Sequence, residues 1–257
     1  MNTSIKTAAI TIAAFLLFLY LLKMQIVNEH LSFISNGSLR FAANWFLCGV
    51  PIYIALFMMH KPAQIMESLG LRYGLLEGYG IAYLAVIPML LGFAFTGTFN
   101  TSLTIDEFIR KAVLAGFFEE LFFRGFLFGM LFRYARWGFI PAVLTGAILF
   151  GAVHLYQGGD MLSAFAAFGV TAFGAVLFSW VYVEWDYNLW TAIGLHTFMN
   201  GAWLLFAVDN SATGGWISNI FRVVSIIVIV VGTIIYKKRK CRRFEVNKQT
   251  LWVNNDK

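Results

Sequence analysis

Long apolar segments recur along this chain of 257 residues, and short polar or charged connections separate them. A helix that spans a membrane needs about 20 mostly apolar residues, because the hydrocarbon core is about 30 Å thick and each residue rises about 1.5 Å. Eight segments approach that length, namely residues 7–22, 41–59, 81–99, 108–132, 139–156, 162–183, 189–208 and 221–236. The pattern predicts an all-α fold, a polytopic bundle of about eight transmembrane helices.

The composition agrees with this prediction. Hydrophobic residues make up 60% of the chain and charged residues only 12%, with a mean hydropathy of +0.73, whereas soluble domains carry about 25% charged residues. A water-soluble fold of this size cannot hide so much apolar surface. Soluble domains, disordered tails and secreted disulfide scaffolds are therefore excluded, and we expect a multi-pass integral membrane protein surrounded by lipid.

The net charge of +6 is concentrated near the C-terminus, where the basic run 237–243 directly follows the last apolar segment. A basic cluster beside a membrane exit is typical of a cytoplasmic anchor that attracts anionic headgroups, so we expect no nucleic-acid partner. With eight spans the N-terminus would be cytoplasmic too. Most basic connections then follow the positive-inside rule, although Lys23, Arg40 and the Arg110-Lys111 pair do not.

The chain divides into three predicted parts. Residues 1–104 would form the first three transmembrane helices, with residues 61–80 as an amphipathic segment at the membrane interface. Residues 105–208 would form a catalytic core of four helices, and residues 209–257 the last helix with the basic cytoplasmic tail.

Charged residues inside the fourth span are the strongest functional signal. Glu119 and Glu120 lie near its middle, and Arg124 follows four residues after Glu120. Each ionised side chain at the bilayer centre costs about 2.5–3.5 kcal/mol, so such residues usually face the protein interior and have a function. The i,i+4 spacing predicts a Glu120–Arg124 ion pair, whereas Glu119 is rotated by about 100° and would face an open cavity.

Two histidines lie inside the predicted fifth and seventh spans. His154 follows Phe150 by one turn, and His196 precedes Asn200 by one turn on the same helix face. Each alone could be a packing residue, Glu120 with Arg124 could be a structural pair, and Asn200 could simply bridge helices. Their co-occurrence at buried depth favours one site.

Such a set of side chains can hydrolyse an amide. A carboxylate with a histidine opposite can hold and activate water, and a second histidine with an asparagine can stabilise the developing oxyanion. Glutamate and histidine also suit zinc, so metal-assisted hydrolysis is a second route. Other protease signatures, HExxH and Gly-x-Ser-x-Gly, do not occur in the sequence.

The ordered motifs Glu-Glu-x-x-x-Arg (119–124), Phe-x-x-x-His (150–154) and His-x-x-x-Asn (196–200) resemble those of the CPBP intramembrane proteases. This family includes the type II CAAX prenyl proteases, also called the ABI family, and the resemblance covers about residues 105–205. It implies that Glu119 and His154 activate water, that His196 and Asn200 bind the oxyanion, and that Glu120 and Arg124 shape the site.

The family has been described both as metalloproteases and as metal-independent glutamate proteases. Asparagine and arginine are poor zinc ligands, so the residues favour the version without a metal, although zinc stays open. Nothing in the sequence identifies a prenyl-binding groove. The predicted topology also puts Glu119 and His154 at the middle or outer half of the membrane, whereas CAAX processing is cytoplasmic, so a peptide precursor or a membrane protein is an alternative substrate.

Two other functions remain open at this point. A proton-coupled transporter could use Glu119, His154 and His196 as a relay, although no inverted repeat is visible. A non-enzymatic membrane scaffold, or a protein conferring immunity to a secreted peptide, is the third possibility. The sequence does not define the substrate or the oligomeric state.

Overall fold

The computed structural model describes residues 3–72, 74–209 and 211–253, and they form a helical bundle, which confirms the all-α prediction. The helices are α1 (Thr3–Met24), α2 (Ile26–His30), α3 (Gly37–Cys48), α4 (Val50–Met59), α5 (Ile65–Ser68), α6 (Leu75–Thr96), α7 (residues 105–134), α8 (Phe139–Ala152), α9 (Met161–Glu184), α10 (Leu189–Leu205) and α11 (Trp216–Arg239). Short 3₁₀ turns, Pro62–Gln64 and Leu155–Gln157, precede α5 and follow α8.

Helix α7 departs from regular α-helical geometry. Its α-helical turns, Ile105–Phe108 and Ala115–Glu119, alternate with π-helical turns at Ile109–Leu114, Glu120–Phe128 and Met130–Tyr134. Such π turns are rare and often mark functional sites. Glu119 and Glu120 lie where an α-helical turn meets a π-helical turn. Every residue from 120 to 132 is buried, as expected for a helix that is apolar on all sides and surrounded by protein.

In the part of the chain that the structure describes, five helices are long and apolar enough to cross a membrane, and a sixth span results if α3 and α4, bent by 45°, count as one. The predicted number was eight. The difference lies in α7, whose charges and π turns interrupt the apolar helix, and in α10, which has only 17 residues. Both are shielded by neighbouring helices, so neither has to meet the requirements of a lipid-facing span.

Contacts between helix termini nevertheless define eight passes through the bundle. At one end, called the tail end here, the Ser4 hydroxyl donates to the Ala135 carbonyl, and Asn188 Nδ2 donates to the Gly74 carbonyl over 2.9 Å. The start of α1 therefore meets the end of α7, and the start of α6 meets the start of α10.

At the opposite end, called the far end, Ser38 N donates to Asp106 Oδ1 over 2.8 Å. Asn100 Nδ2 donates to the Leu204 carbonyl over 3.1 Å, so the loop after α6 meets the end of α10. With α3 and α4 as one bent pass, the helices alternate between the two ends eight times. The described parts of both chain termini consequently lie at the tail end.

A C-terminal clasp, residues 242–253, folds back over the tail end. Glu184 and Lys237 are fully buried and form a 2.7 Å ion pair, and Glu184 also accepts hydrogen bonds from the backbone of Glu245 and Val246. Carbonyls of residues 250–252 accept the backbone N–H groups of residues 138–140 at the start of α8. The clasp therefore satisfies donors that a helix N-terminus leaves free.

Several predicted boundaries need correction. The third pass begins at Leu75 rather than at residue 81 and ends at Thr96. In the expected interfacial segment 61–80, the described residues before α6 form the turn Pro62–Gln64 and the four-residue helix Ile65–Ser68. A left-handed Gly74 allows that early start of α6. The three-part division of the chain stays a prediction.

Candidate active site

The predicted Glu120–Arg124 pair lies at the centre of the bundle. Arg124 Nη1 is 3.1 Å from Glu120 Oε1, and the two residues are 1% and 0% exposed. The pair has ion-pair distance without hydrogen-bond geometry, and both terminal nitrogens of Arg124 are buried without a hydrogen-bond partner among the described residues. Charge neutralisation inside protein explains how these residues persist at membrane depth.

His196 connects the two glutamates. Its Nδ1 lies 2.7 Å from Glu120 Oε1, and its Nε2 lies 3.8 Å from Glu119 Oε2. Because an ionised carboxylate only accepts hydrogen bonds, Nδ1 carries the proton in the contact with Glu120. The other nitrogen then faces Glu119, so α7 and α10 together build a cluster of two carboxylates, an imidazole and a guanidinium.

Glu119 is the more accessible of the two glutamates. Its side chain is 16% exposed, whereas that of Glu120 is 0% exposed. Glu119 Oε2 itself is buried and has no hydrogen-bond partner within the described residues. This oxygen is therefore free to accept a hydrogen bond from a water molecule or a substrate, whereas neither cavity described in the structure is lined by Glu119.

Phe150 links this cluster to His154. Its ring lies 4.4 Å from the Arg124 guanidinium carbon and 4.5 Å from the His154 ring. A cation held over an aromatic face is favourable, more so away from water. The ring thus separates His154 from the ion pair while contacting both.

His154 lies just beyond the end of helix α8 at Ala152, but within the membrane-spanning stretch Phe139–Gln157, as predicted. Its Nδ1 contacts the Phe150 carbonyl at 2.7 Å. A carbonyl can only accept, so Nδ1 carries the proton and the neutral ring presents Nε2 as an acceptor. Among the residues that the structure describes, no carboxylate lies within 4.0 Å of the His154 nitrogens, so direct contact with Glu119 is not made.

Asn200 lies one turn beyond His196 on α10. Its Nδ2 donates to the Lys111 carbonyl over 3.1 Å, which belongs to the first π-helical turn of α7. An amide nitrogen has two hydrogens, so one remains able to donate elsewhere. The six predicted site residues thus occupy one region: four form the ionic cluster, and His154 and Asn200 flank it towards the far end.

Two further residues at the site carried no recognisable signal in the sequence. The Phe178 ring of α9 lies 5.6 Å from the His196 ring and 5.5 Å from the Arg124 guanidinium carbon, and so covers the cluster. Gly116 permits the close approach of α10: a Cβ there would lie 2.7 Å from Thr197 Oγ1 and 3.1 Å from Thr197 N. Neither role follows from a polar motif.

Among the described residues, zinc-type donors do not come together as a metal site. A zinc site needs three or four nitrogen, sulfur or carboxylate ligands, and the described residues contain no such group of three His, Cys, Asp or Glu. Within the cluster, Glu120 and the Nδ1 of His196 already bind each other, which leaves Glu119 Oε2 and His196 Nε2. His154 Nε2 lies on the other side of the Phe150 ring. The nearby guanidinium of Arg124 would also repel a cation.

Comparison with known proteins supports the motif assignment. Residues 101–202 match the family model described as type II CAAX prenyl endopeptidase Rce1-like. The family resemblance predicted from the three motifs is thereby confirmed for this segment. This Rce1-like segment contains all six predicted site residues and covers α7, α8, α9 and most of α10. No curated protein and no solved structure matches the chain.

Proposed function

We propose that this multi-pass membrane protein is an intramembrane endopeptidase that hydrolyses peptide bonds of membrane-embedded peptides or proteins. One observation carries the proposal: the Rce1-like segment assembles Glu119, Glu120, Arg124 and His196 into one buried ionic cluster. Neither contact with lipid nor simple packing between helices would account for four ionisable side chains gathered at one buried point.

In the proposed reaction, Glu119 acts as the general base. A water molecule loses a proton to Glu119 while its oxygen attacks the scissile carbonyl carbon, and the carbonyl oxygen becomes an oxyanion. His154 Nε2, an acceptor in the tautomer fixed by the Phe150 carbonyl, orients the same water. The proton then passes from Glu119 to the leaving nitrogen as the carbon–nitrogen bond breaks. No metal takes part in this sequence.

Oxyanion stabilisation falls to His196 and Asn200. The second N–H of Asn200 is available, and His196 Nε2 donates once the ring is protonated, with Glu119 and Glu120 on either side of it. Removing one such donor typically lowers the rate by about 10²–10³. Glu120 and Arg124 hold the His196 ring in place and act as positioning residues.

The test compares peptide products formed by purified protein in liposomes. Native protein and the Glu119→Gln and Glu29→Gln variants are incubated with a library of apolar peptides, and new termini are identified by mass spectrometry. Glu29 is an exposed acid far from the cluster and serves as the matched control. Products should form with native protein and Glu29→Gln and disappear with Glu119→Gln. Equal product formation by all three proteins, or pH-driven solute flux without new termini, would contradict the proposal.

We further propose that the tail end is cytoplasmic and that the site opens towards the other side. The basic run 237–243, Arg133 and Arg136 lie at the tail end, whereas His154 and Asp160 lie at the far end. The positive-inside rule favours this orientation. Substrates presented from outside the cytoplasm, such as a peptide precursor, then fit better than a prenylated cytoplasmic tail.

Cysteine labelling tests the orientation directly. Cys241 is exposed at the tail end and Cys48 is buried. An impermeant thiol reagent should label Cys241 only after cells are permeabilised. In a Cys241→Ser background, Gly159→Cys at the far end should be labelled in intact cells, since a Cβ there meets no atom within 4 Å. The reverse pattern would invert the orientation.

A further inference from the structure

A cavity of about 280 Å³ opens at the far end, between the loop after α6, the start of α7 and the end of α10. Its lining is mostly apolar and includes Phe99, Thr101, Leu103, Ile105, Phe108 and Leu205. The volume lies just below the 300–1,000 Å³ of pockets for drug-sized ligands, so it suits one large side chain rather than a whole small molecule.

The cavity and the candidate active site lie along the same pair of helices. Helices α7 and α10 run antiparallel, and their contacts proceed from Gly116 with Thr197 to the Lys111 carbonyl with Asn200. The next contact along the pair is that of the Phe108 ring with Gly201, where an added Cβ would lie 3.3 Å from the ring. Phe108 therefore lines the cavity and also packs beside Gly201, the residue that follows Asn200.

The spacing matches that of an extended peptide. Leu205 at the cavity is five positions past Asn200, which is about 7.5 Å along a helix at about 1.5 Å per residue. An extended chain advances about 3.3 Å per residue, so this distance corresponds to about two substrate residues. A peptide whose scissile carbonyl lies at Asn200 would then place a side chain about two residues away into the cavity.

We propose that this cavity is a specificity subsite that accepts a large apolar side chain, such as that of leucine or phenylalanine, about two residues from the scissile bond. The inference rests on the proposed endopeptidase function. Specificity arises because a charged or strongly polar side chain would lose its hydration against Phe99, Ile105 and Phe108 without gaining an ionic partner.

The experiment varies both the peptide and the cavity. A peptide that the native protein cleaves in liposomes is made with alanine, leucine, phenylalanine or aspartate at each of the three positions on either side of the cleavage site. Native protein should cleave leucine or phenylalanine peptides about tenfold or more faster than the alanine peptide at one position about two residues from the cut. The aspartate peptide should be the slowest.

Two variants then assign that preference to the cavity. Thr101→Trp fills the cavity from its exposed rim and should reduce the preference to about twofold or less, by slowing cleavage of the leucine and phenylalanine peptides. Ser35→Trp is the control, since Ser35 is exposed on another loop. Phe108→Ala enlarges the cavity and should shift the preference towards tryptophan.

The outcomes separate the two proposals. Cleavage that depends on Glu119 but shows no apolar preference, or a preference that Thr101→Trp and Ser35→Trp change equally, would overturn the subsite and leave the endopeptidase proposal standing. Absence of any Glu119-dependent cleavage would overturn the endopeptidase proposal and the subsite with it.

Discussion

Removing Arg124 tests whether the ionic cluster is a coupled unit. Arg124→Met keeps much of the side-chain volume but leaves the Glu120 carboxylate, which is 0% exposed, without its guanidinium partner. Breaking a buried ion pair from one side costs about 3–5 kcal/mol. His196 still contacts Glu120 at 2.7 Å and can become protonated, so we expect a loss near 3 kcal/mol.

The double variant Glu120→Gln/Arg124→Met should recover most of that stability. Replacing both partners removes the uncompensated charge, and such replacements are often neutral or even stabilising. We expect the double variant to lie within about 1 kcal/mol of the native protein. Peptide cleavage should stay low in both variants. Arg124→Met leaves Glu120 without its ionic partner, and the double variant also removes the carboxylate that orients the His196 ring.

The assay is reversible unfolding in mixed detergent micelles, followed by circular dichroism, together with the liposome cleavage assay. A loss of 3 kcal/mol corresponds to about a hundredfold change in the folded-to-unfolded ratio, since each 1.36 kcal/mol is about tenfold. An Arg124→Met variant as stable as the native protein would refute the coupling. A double variant no more stable than Arg124→Met would refute it equally.

Three further variants test the packing and the ends of the bundle. Gly116→Ala should separate α7 from α10 and lower both stability and cleavage, because the new Cβ would lie 2.7 Å from the Thr197 hydroxyl. The control is Gly146→Ala, which should be neutral in the same two assays because its Cβ would meet no atom within 4 Å. Lys237→Met should release the C-terminal clasp, since it leaves a buried carboxylate unpaired, and limited proteolysis would then cut after residue 240 faster than in native protein. Hydrogen bonds from Ser38 hold the pKa of Asp106 in the folded protein below its usual range. The ionised carboxylate therefore stabilises the fold at pH values above the pKa of the unfolded chain. That contribution is lost as the pH falls through the lower pKa of the folded protein. Faster hydrogen exchange at residues 36–40 should appear in acid, and an unchanged rate down to pH 2 would contradict that prediction.

Local spacing determined how much of the site could be predicted. The Glu120–Arg124 pair follows from an i,i+4 relation within one helix, which the sequence displays directly. The contact of His196 Nδ1 with Glu120 could not be predicted, because it depends on how closely α10 approaches α7. That approach depends on Gly116, and a single glycine among 23 carries no mark of such a role.

Segment length and hydropathy predicted the helices well but not their termini. The fifth predicted span, 139–156, matches the spanning stretch Phe139–Gln157, but the α-helix within it ends at Ala152 and His154 lies in the following turn. Apolar residues continue past the helix end, so hydropathy gives no stop signal there. The buried Glu184–Lys237 pair was likewise hidden, because both residues lie at segment ends, where charges are normally solvated or at the membrane interface.

Charge balance within the cluster gives the proposed base its driving force. With both glutamates ionised and with Arg124 and the oxyanion-binding His196 ring both positively charged, the four groups carry no net charge. Apolar surroundings penalise an unbalanced charge. When Glu119 takes a proton from water, the cluster gains one positive charge, and the oxyanion that forms at the scissile carbonyl balances it. Because Glu120 and Arg124 neutralise each other, Glu119 is the carboxylate left to accept that proton, and the exposed 16% of its side chain is where water can reach it.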